Sequence, residues 1–154
     1  MGTNFYAYKK LKKAQKDKIV QSLENDEYDS VVFDINQMVN KVHIGKQSFG
    51  WKFLFNPNSF KYYEPTMKSI DNFLRGEDML LEDEYGRKID VDEFWNIVER
   101  SKDKIGNKEY NQKYPDEMMF LYGSKCDEIY QQYNPSYFEF YNDGLRFSIS
   151  SEFS

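Results

Sequence analysis

The chain is poor in the residues that most often carry chemistry. Its 154 residues include one cysteine, Cys126, and one histidine, His43. A disulfide framework and a Cys-based zinc site both need more thiols than this, so both are excluded. A histidine-rich metal site fails on the same ground. Any Ser-His-Asp or Cys-His pair would have to use His43. Cys126 lies far along the chain in a helix-like Ser-Lys-Cys-Asp-Glu-Ile setting, and nothing in the spacing pairs the two. There are only two alanines and four prolines (Pro57, Pro65, Pro115, Pro135). Each proline sits between periodic segments, where it is tolerated. No apolar run approaches the ~18 residues of a membrane span. There is no repeat and no low-complexity linker. The opening residues lack the charged start and apolar stretch of a secretory leader, and a single free thiol fits a reducing cytoplasm.

What is abundant is aromatic. The 13 Phe, 13 Tyr and 2 Trp outnumber the 26 Ala, Val, Ile and Leu residues together. Charged residues make up 31%, above the usual quarter. A chain this aromatic is not disordered. The net charge of −5 argues against a general nucleic-acid binder, which is usually basic, but leaves room for a local basic patch. The length predicts one domain over residues 1–154, able to bury roughly two thirds of its unfolded surface.

Asn4 to Lys9 alternates as a short aromatic strand. Lys10 to Asn25 reads as a helix with Leu11, Ala14, Ile19, Val20 and Leu23 as its apolar stripe. Val31 to Ile35 is β-branched, a strand or a buried turn of helix. Val42–Lys46 and Trp51–Phe55 read as a hairpin around Gln47-Ser-Phe-Gly50. Asn56 to Ser59 is a loop, and Thr66 to Leu74 a helix closed by Gly76. Asp83-Glu-Tyr-Gly-Arg87 is a tight turn between short strands. Asp90 and Glu93 have capping-box spacing and open a helix with Phe94, Ile97 and Val98 on one face. Lys102 to Glu117 is polar and irregular, and Met118 to Tyr122 is strand or helix. Tyr137 to Ile149 is the strongest hairpin, with Asn142-Asp-Gly144 as its turn. The expected fold is therefore α+β: one domain, an antiparallel sheet built from hairpins, and about three helices packed on it.

His43-Ile-Gly-Lys-Gln-Ser-Phe-Gly-Trp51 is the most distinctive stretch. A phosphate-binding P-loop would need glycine at position 40 and Ser or Thr at 47, where Asn40 and Gln47 stand. One reading is a hairpin whose glycines serve geometry while Phe49 and Trp51 serve packing. The other sets His43, Lys46 and Ser48 near one turn, where they can meet an anion or a partner's carboxylate. The run from Glu77 to Glu93 holds eight carboxylates against Arg87 and Lys88. It lacks EF-hand spacing and reads as a solvated acidic face. Lys9 to Lys18 carries six lysines and one Asp, so +5 locally against −10 for the rest. Lys9, Lys10, Lys12, Lys13 and Lys16 form a basic face that is solvated or touches phosphates. Opposed patches of this kind suit oriented docking. Phe5, Trp51, Phe53, Phe55, Phe94, Phe138, Phe140 and Phe147 fall on element faces and replace missing aliphatics. The tyrosines, including Tyr130, Tyr133, Tyr137 and Tyr141, fall in more polar segments and point to a binding surface.

Three stretches occur together: Met1-Gly-Thr-Asn-Phe-Tyr6, His43-Ile-Gly-Lys-x-Ser-x-Gly-Trp51 with Phe53, and Asp83-Glu-Tyr-Gly-Arg87 with Ile89 and Glu93. With the ending Glu152-Phe-Ser154, they resemble a family of small uncharacterised proteins of tailed bacteriophages and prophages. The resemblance is spread over most of the chain, on about a quarter of positions, and its central motif is the most specific part. Many members place a Cys-x-x-Cys pair, suggestive of a zinc knuckle, before the His-Ile-Gly-Lys motif. Here that region is the lysine-rich helix, so a metal role does not carry over. The family implies no known activity. It implies a phage accessory protein acting in the cytoplasm of an infected bacterium.

The leading expectation is a non-enzymatic protein that binds and inhibits a bacterial host protein or immune effector, with no cofactor and no metal. Its binding residues would be Tyr6, His43, Lys46, Ser48, Trp51 and Arg146. An alternative is a binder that sequesters a nucleotide-type signal, an aromatic pocket stacking the base while Lys46, Ser48 and Arg146 hold phosphate. Further readings are an enzyme with His43 as base, and nucleic-acid binding through the lysine-rich helix.

Overall fold

The computed structural model describes residues 2–60, 65–104 and 139–148. The expectations for residues 105–138, including Met118–Tyr122, Cys126, Tyr130, Tyr133, Tyr137 and Phe138, lie outside the described residues, as does the Glu152-Phe-Ser154 ending. The fold is α+β. In chain order the elements are β1 (Gly2–Lys9), α1 (Lys13–Glu24), α2 (Tyr28–Met38), β2 (Val42–Ser48), β3 (Leu54–Phe55), a 3-10 turn (Pro57–Ser59), α3 (Met67–Leu74), β4 (Met79–Asp83), α4 (Val91–Arg100), β5 (Glu139–Asn142) and β6 (Leu145–Ser148). The six strands form one sheet in the order β4-β1-β2-β3-β6-β5.

Four of the five pairings are antiparallel, but only β2–β3 and β5–β6 are hairpins of consecutive strands. β1 pairs antiparallel with β2 and β4, β2 with β3, and β5 with β6. The β5–β6 turn is as the sequence predicts. Asp143 and Gly144 both take positive φ, 52° and 73°, which is what a two-residue type I′ turn requires. β3 and β6, however, pair in parallel. They are not joined by a turn, so no local signal sets their relative direction, and the sheet is mixed rather than wholly antiparallel.

The core lies on one face of this sheet and is aromatic. Phe5, Phe53, Phe55, Phe94 and Phe147 are all buried, with Ile44, Ile70, Leu74 and Leu145 around them. Phe94 of α4 sits edge-on to Phe5 at 5.8 Å, Phe53 at 5.3 Å and Phe55 at 6.1 Å. Each such pair adds about 0.5–1.5 kcal/mol beyond burial. The rings thus do the work of the missing aliphatics. Trp95 sends its indole N–H to Asp71 at 2.8 Å, tying α4 to α3.

Some expectations change, and one left open is settled. The helix expected from Lys10 begins at Lys13, because the Gln15 side chain accepts the Lys12 N–H at 2.8 Å and fixes the start there. The β-branched run Val31–Ile35 is the middle of α2, since its neighbours complete an amphipathic helix that packs Val31 inward. With α2 there are four α-helices among the described residues. Of Trp51–Phe55 only Leu54–Phe55 joins the ladder, with Trp51 in a single bridge. Asp90 does cap α4 through Asp92 N–H at 3.0 Å, but Glu93 turns to Arg87 at 3.1 Å instead of reaching back. A charge-assisted bond competes successfully with the capping-box contact.

Candidate functional site

The face of the sheet opposite the core carries a polar and aromatic strip. Along β1, Phe5 and Ala7 point to the core, so Asn4, Tyr6 and Tyr8 point the other way. On β2, simple alternation would separate His43 from Lys46. A register shift prevents this: Phe5 pairs with Gly45, yet Tyr6 pairs with His43. The extra residue is a bulge. It turns both Ile44 and Gly45 toward the buried side and leaves His43, Lys46 and Ser48 on the outer face. Gly45 is required there, because a Cβ would stand 2.3 Å from the Leu54 carbonyl and 2.7 Å from the Phe53 ring.

The strip is internally bonded. Tyr6 stacks on His43 with centroids 4.9 Å apart. Glu84 accepts the Asn4 backbone N–H at 3.3 Å and its side-chain amide at 3.2 Å. That orientation leaves Asn4 Oδ1 facing His43 Nε2 at 3.1 Å, an acceptor for the tautomer that carries its proton on Nε2. Serine 59 donates its hydroxyl to the His43 carbonyl and holds the strand. Beyond this, Tyr8 donates to Glu82 at 2.8 Å, and Lys41 pairs with the same carboxylate while lying 5.2 Å over the Tyr8 ring.

Electrostatics follow from these contacts. Burial pushes the Tyr8 phenol up to about 12, and its bond to the Glu82 carboxylate and that group's charge push the same way. Burial also pushes Glu82 up, but the hydrogen bonds from Lys41 and Tyr8 outweigh it and hold the carboxyl below its ordinary value. Asp83 follows the same pattern. Burial raises it, and the backbone N–H groups of Arg87 and Tyr85, both at 3.0 Å, with the Arg87 guanidinium, bring it below normal. The acidic run is therefore not wholly a solvated face: Glu82 and Asp83 are buried and bonded.

Two turns carry the most exposed rings of the strip's end. Phe49 is 96% exposed at the tip of the β2–β3 connection, and Tyr85 is 81% exposed on the β4 turn. Phe49 therefore does not serve packing. Both turns are pinned. Gly50 and Gly86 adopt φ of 82° and 81°. Trp51 N–H bonds the Ser48 carbonyl at 3.1 Å, and Gln47 donates to the Ser48 and Trp51 carbonyls at 2.9 and 2.7 Å. Ser48 pairs with Gly2, and the Glu84 N–H bonds the Asn4 carbonyl at 2.9 Å, so both turns stand at the same end of the sheet.

The expected site residues thus divide. Tyr6 and His43 are in contact, and Lys46 and Ser48 follow them along β2 as a line rather than a closed pocket. Lys46, Leu54, Arg146 and Tyr141 form one row across four strands. Arg146 is buried, donates to the Lys52 carbonyl at 2.8 Å and lies 5.8 Å over Trp51. A cavity of about 320 Å³ beside it is lined by Lys52, Lys102, Tyr141 and Arg146 among others. The five lysines of the expected basic face do not share one helix face. Lys9 ends β1, Lys10 and Lys12 precede α1, and only Lys13 and Lys16 lie on it, all five exposed. Sequence reasoning missed Phe49, Tyr85, Glu82 and Asn4 as members of the strip. Glycine next to an aromatic in both turns was the available signal.

Among the described residues, no three His, Cys, Asp or Glu side chains are grouped to hold a metal ion. No helix there is long and apolar enough to cross a membrane. No protein-family model, no curated protein and no solved structure matches the chain.

Proposed function

We propose that this chain is a phage-type accessory protein that binds and inhibits a bacterial host or immune-system protein in the cytoplasm of the infected cell, without catalysis. One observation carries the reading: Phe49 stands 96% exposed on a turn that hydrogen bonds hold rigid. Exposing a large ring costs the free protein solvation, and rigid aromatics supply contact area at little entropic cost on binding. Tyr85 at the same end, the Tyr6–His43 stack and Lys46 behind them complete an amphipathic patch with the composition of a binding hot spot. The sequence resemblance supplies the phage setting. The test is capture from host lysate with wild-type, Phe49→Ala and Tyr85→Ala baits. The proposal expects a specific host protein that the wild type enriches and Phe49→Ala loses. Enrichment of nothing above an unrelated bait would remove it.

A second reading has its own observation. The cavity of about 320 Å³ beside Arg146 gathers Lys52, Lys102 and Tyr141, cations and a ring suited to a small nucleotide-type anion. A ligand at 100 times its Kd would add about 2.7 kcal/mol of stability. A panel of nucleotides and cyclic nucleotides that leaves Tm unmoved would discard this reading.

A further inference from the structure

The α1–α2 helical hairpin carries a group of exposed apolar side chains that the proposed host-binding patch does not use. Its two helices are joined by Asn25-Asp26-Glu27, with Asp26 in the left-handed region at φ 60°. Lys18 reaches Asp34 at 3.6 Å, so the helices run antiparallel. Their buried residues are Ile19 and Ser22 on α1 and Val31 and Asp34 on α2, which marks the sides the helices turn inward. One residue further along each helix is a rotation of about 100°. In an antiparallel pair that rotation carries both helices to the same side. Val20 and Leu23 of α1 therefore stand beside Tyr28, Val32 and Ile35 of α2, and all five are exposed. The opposite side carries Lys18, Gln21 and Ser30 with one exposed ring, Phe33, so the five apolar side chains gather on the first side.

Charge along the apolar side identifies what covers it. Lys13 and Lys16 lie on the same stripe as Val20 and Leu23, toward the start of α1, with Asp17 at its edge, so that end is basic on balance. Glu24 and Glu27 follow at its other end. A stripe that runs basic, apolar, acidic is complementary to itself when reversed. An independent acidic or basic partner would match one end and oppose the other. A second copy satisfies both.

We propose that two copies of this chain associate through these hairpins, α1 antiparallel to α1 and α2 antiparallel to α2, as a two-fold four-helix bundle. Val20 meets Val20 of the second copy near the axis, and Lys16 and Lys13 face Glu24 and Glu27. Symmetry counts each pair twice. The site is separate from the Phe49 patch, so the dimer leaves that patch open and presents it in duplicate.

Sedimentation and light scattering of the full chain from about 1 to 100 µM test this. The expected species has twice the chain's 18.5 kDa. Val32→Glu, at an exposed position, should give a monomer with unchanged circular dichroism. Lys16→Glu and Glu24→Lys should each weaken association about tenfold, since each sets two like-charge contacts across the axis. Combined in one chain, they should restore it. A monomer throughout the range overturns the proposal, including one whose hairpin is covered by a different protein. A dimer indifferent to Val32→Glu, or a double reversal that fails to restore association, overturns it as well. Phe49→Ala should remain dimeric, which separates this outcome from the host-binding test.

Discussion

Replacing Gly45 by alanine tests how the core and the outer strip are joined. Gly45 has no positive φ to forfeit, so the substitution acts through space alone. The added methyl would lie 2.3 Å from the Leu54 carbonyl oxygen and 2.7 Å from Phe53 Cε1. Neither neighbour can yield freely. The carbonyl belongs to the short β3 strand, and the Phe53 ring is locked among Phe5 at 5.6 Å, Phe55 at 4.7 Å and Phe94. Overpacking of this kind costs about 1–3 kcal/mol, and contact with backbone places it at the upper end. For a chain of this length that lowers Tm by roughly 5–10 °C. The bulge must shift to make room, so the Tyr6–His43 stack should loosen as well. Two readouts follow on one sample: the melting curve, and the His43 ring resonances beside Tyr6. Gly50→Ala is the control. A methyl there meets nothing within 4 Å but sits at φ 82°, so it should cost about 1–2 kcal/mol and leave the stack alone. A Gly45→Ala protein that melts with the wild type, or with His43 signals unmoved, would refute the role given to the bulge.

Four other outcomes are expected. Phe94→Ala removes the ring that Phe5, Phe53 and Phe55 share and should cost about 3–5 kcal/mol by denaturant titration. Thr66→Ala deletes the acceptor of the Ser69 N–H at 3.1 Å that starts α3 and should cost about 1 kcal/mol. Glu82 has a lowered folded pKa, so its contribution is full above the ordinary carboxylate range and is lost as pH falls below it. Glu82→Gln should therefore lower Tm at neutral pH and flatten the acid limb of the Tm-pH curve; an unchanged limb would remove this role. Tyr8 has the opposite sign. Its raised value, about 12, gives stability that is present below about 10 and lost as pH climbs toward 12. Tyr8→Phe should blunt that alkaline loss.

Local signals were the legible ones. The Asp143-Gly144 turn, the Asp90 cap and the alternation of β1 all follow from short-range chemistry, and the structure has them. The phenylalanines expected to replace aliphatics are buried wherever their side chains are described. What the sequence hid was long-range or irregular. No turn links β3 to β6, so their parallel pairing had no local mark. Val31–Ile35 is too short a run to separate strand from helix by periodicity. The bulge at Ile44-Gly45 decides which of His43 and Lys46 share a face, and a bulge is set by what packs beneath it, here Phe53. Phe49 looked like core because it is aromatic, and its exposure depends on a turn held by Gln47.

The central claim is that the end of the sheet marked by Phe49 binds a host protein. Its most direct test is the affinity of the captured host protein for wild-type chain and for Phe49→Ala, measured side by side with matched melting curves. A hot-spot ring is worth about 2 kcal/mol or more, so the variant should bind at least about 30-fold more weakly while its Tm stays put. Equal affinity for the two proteins would contradict the claim.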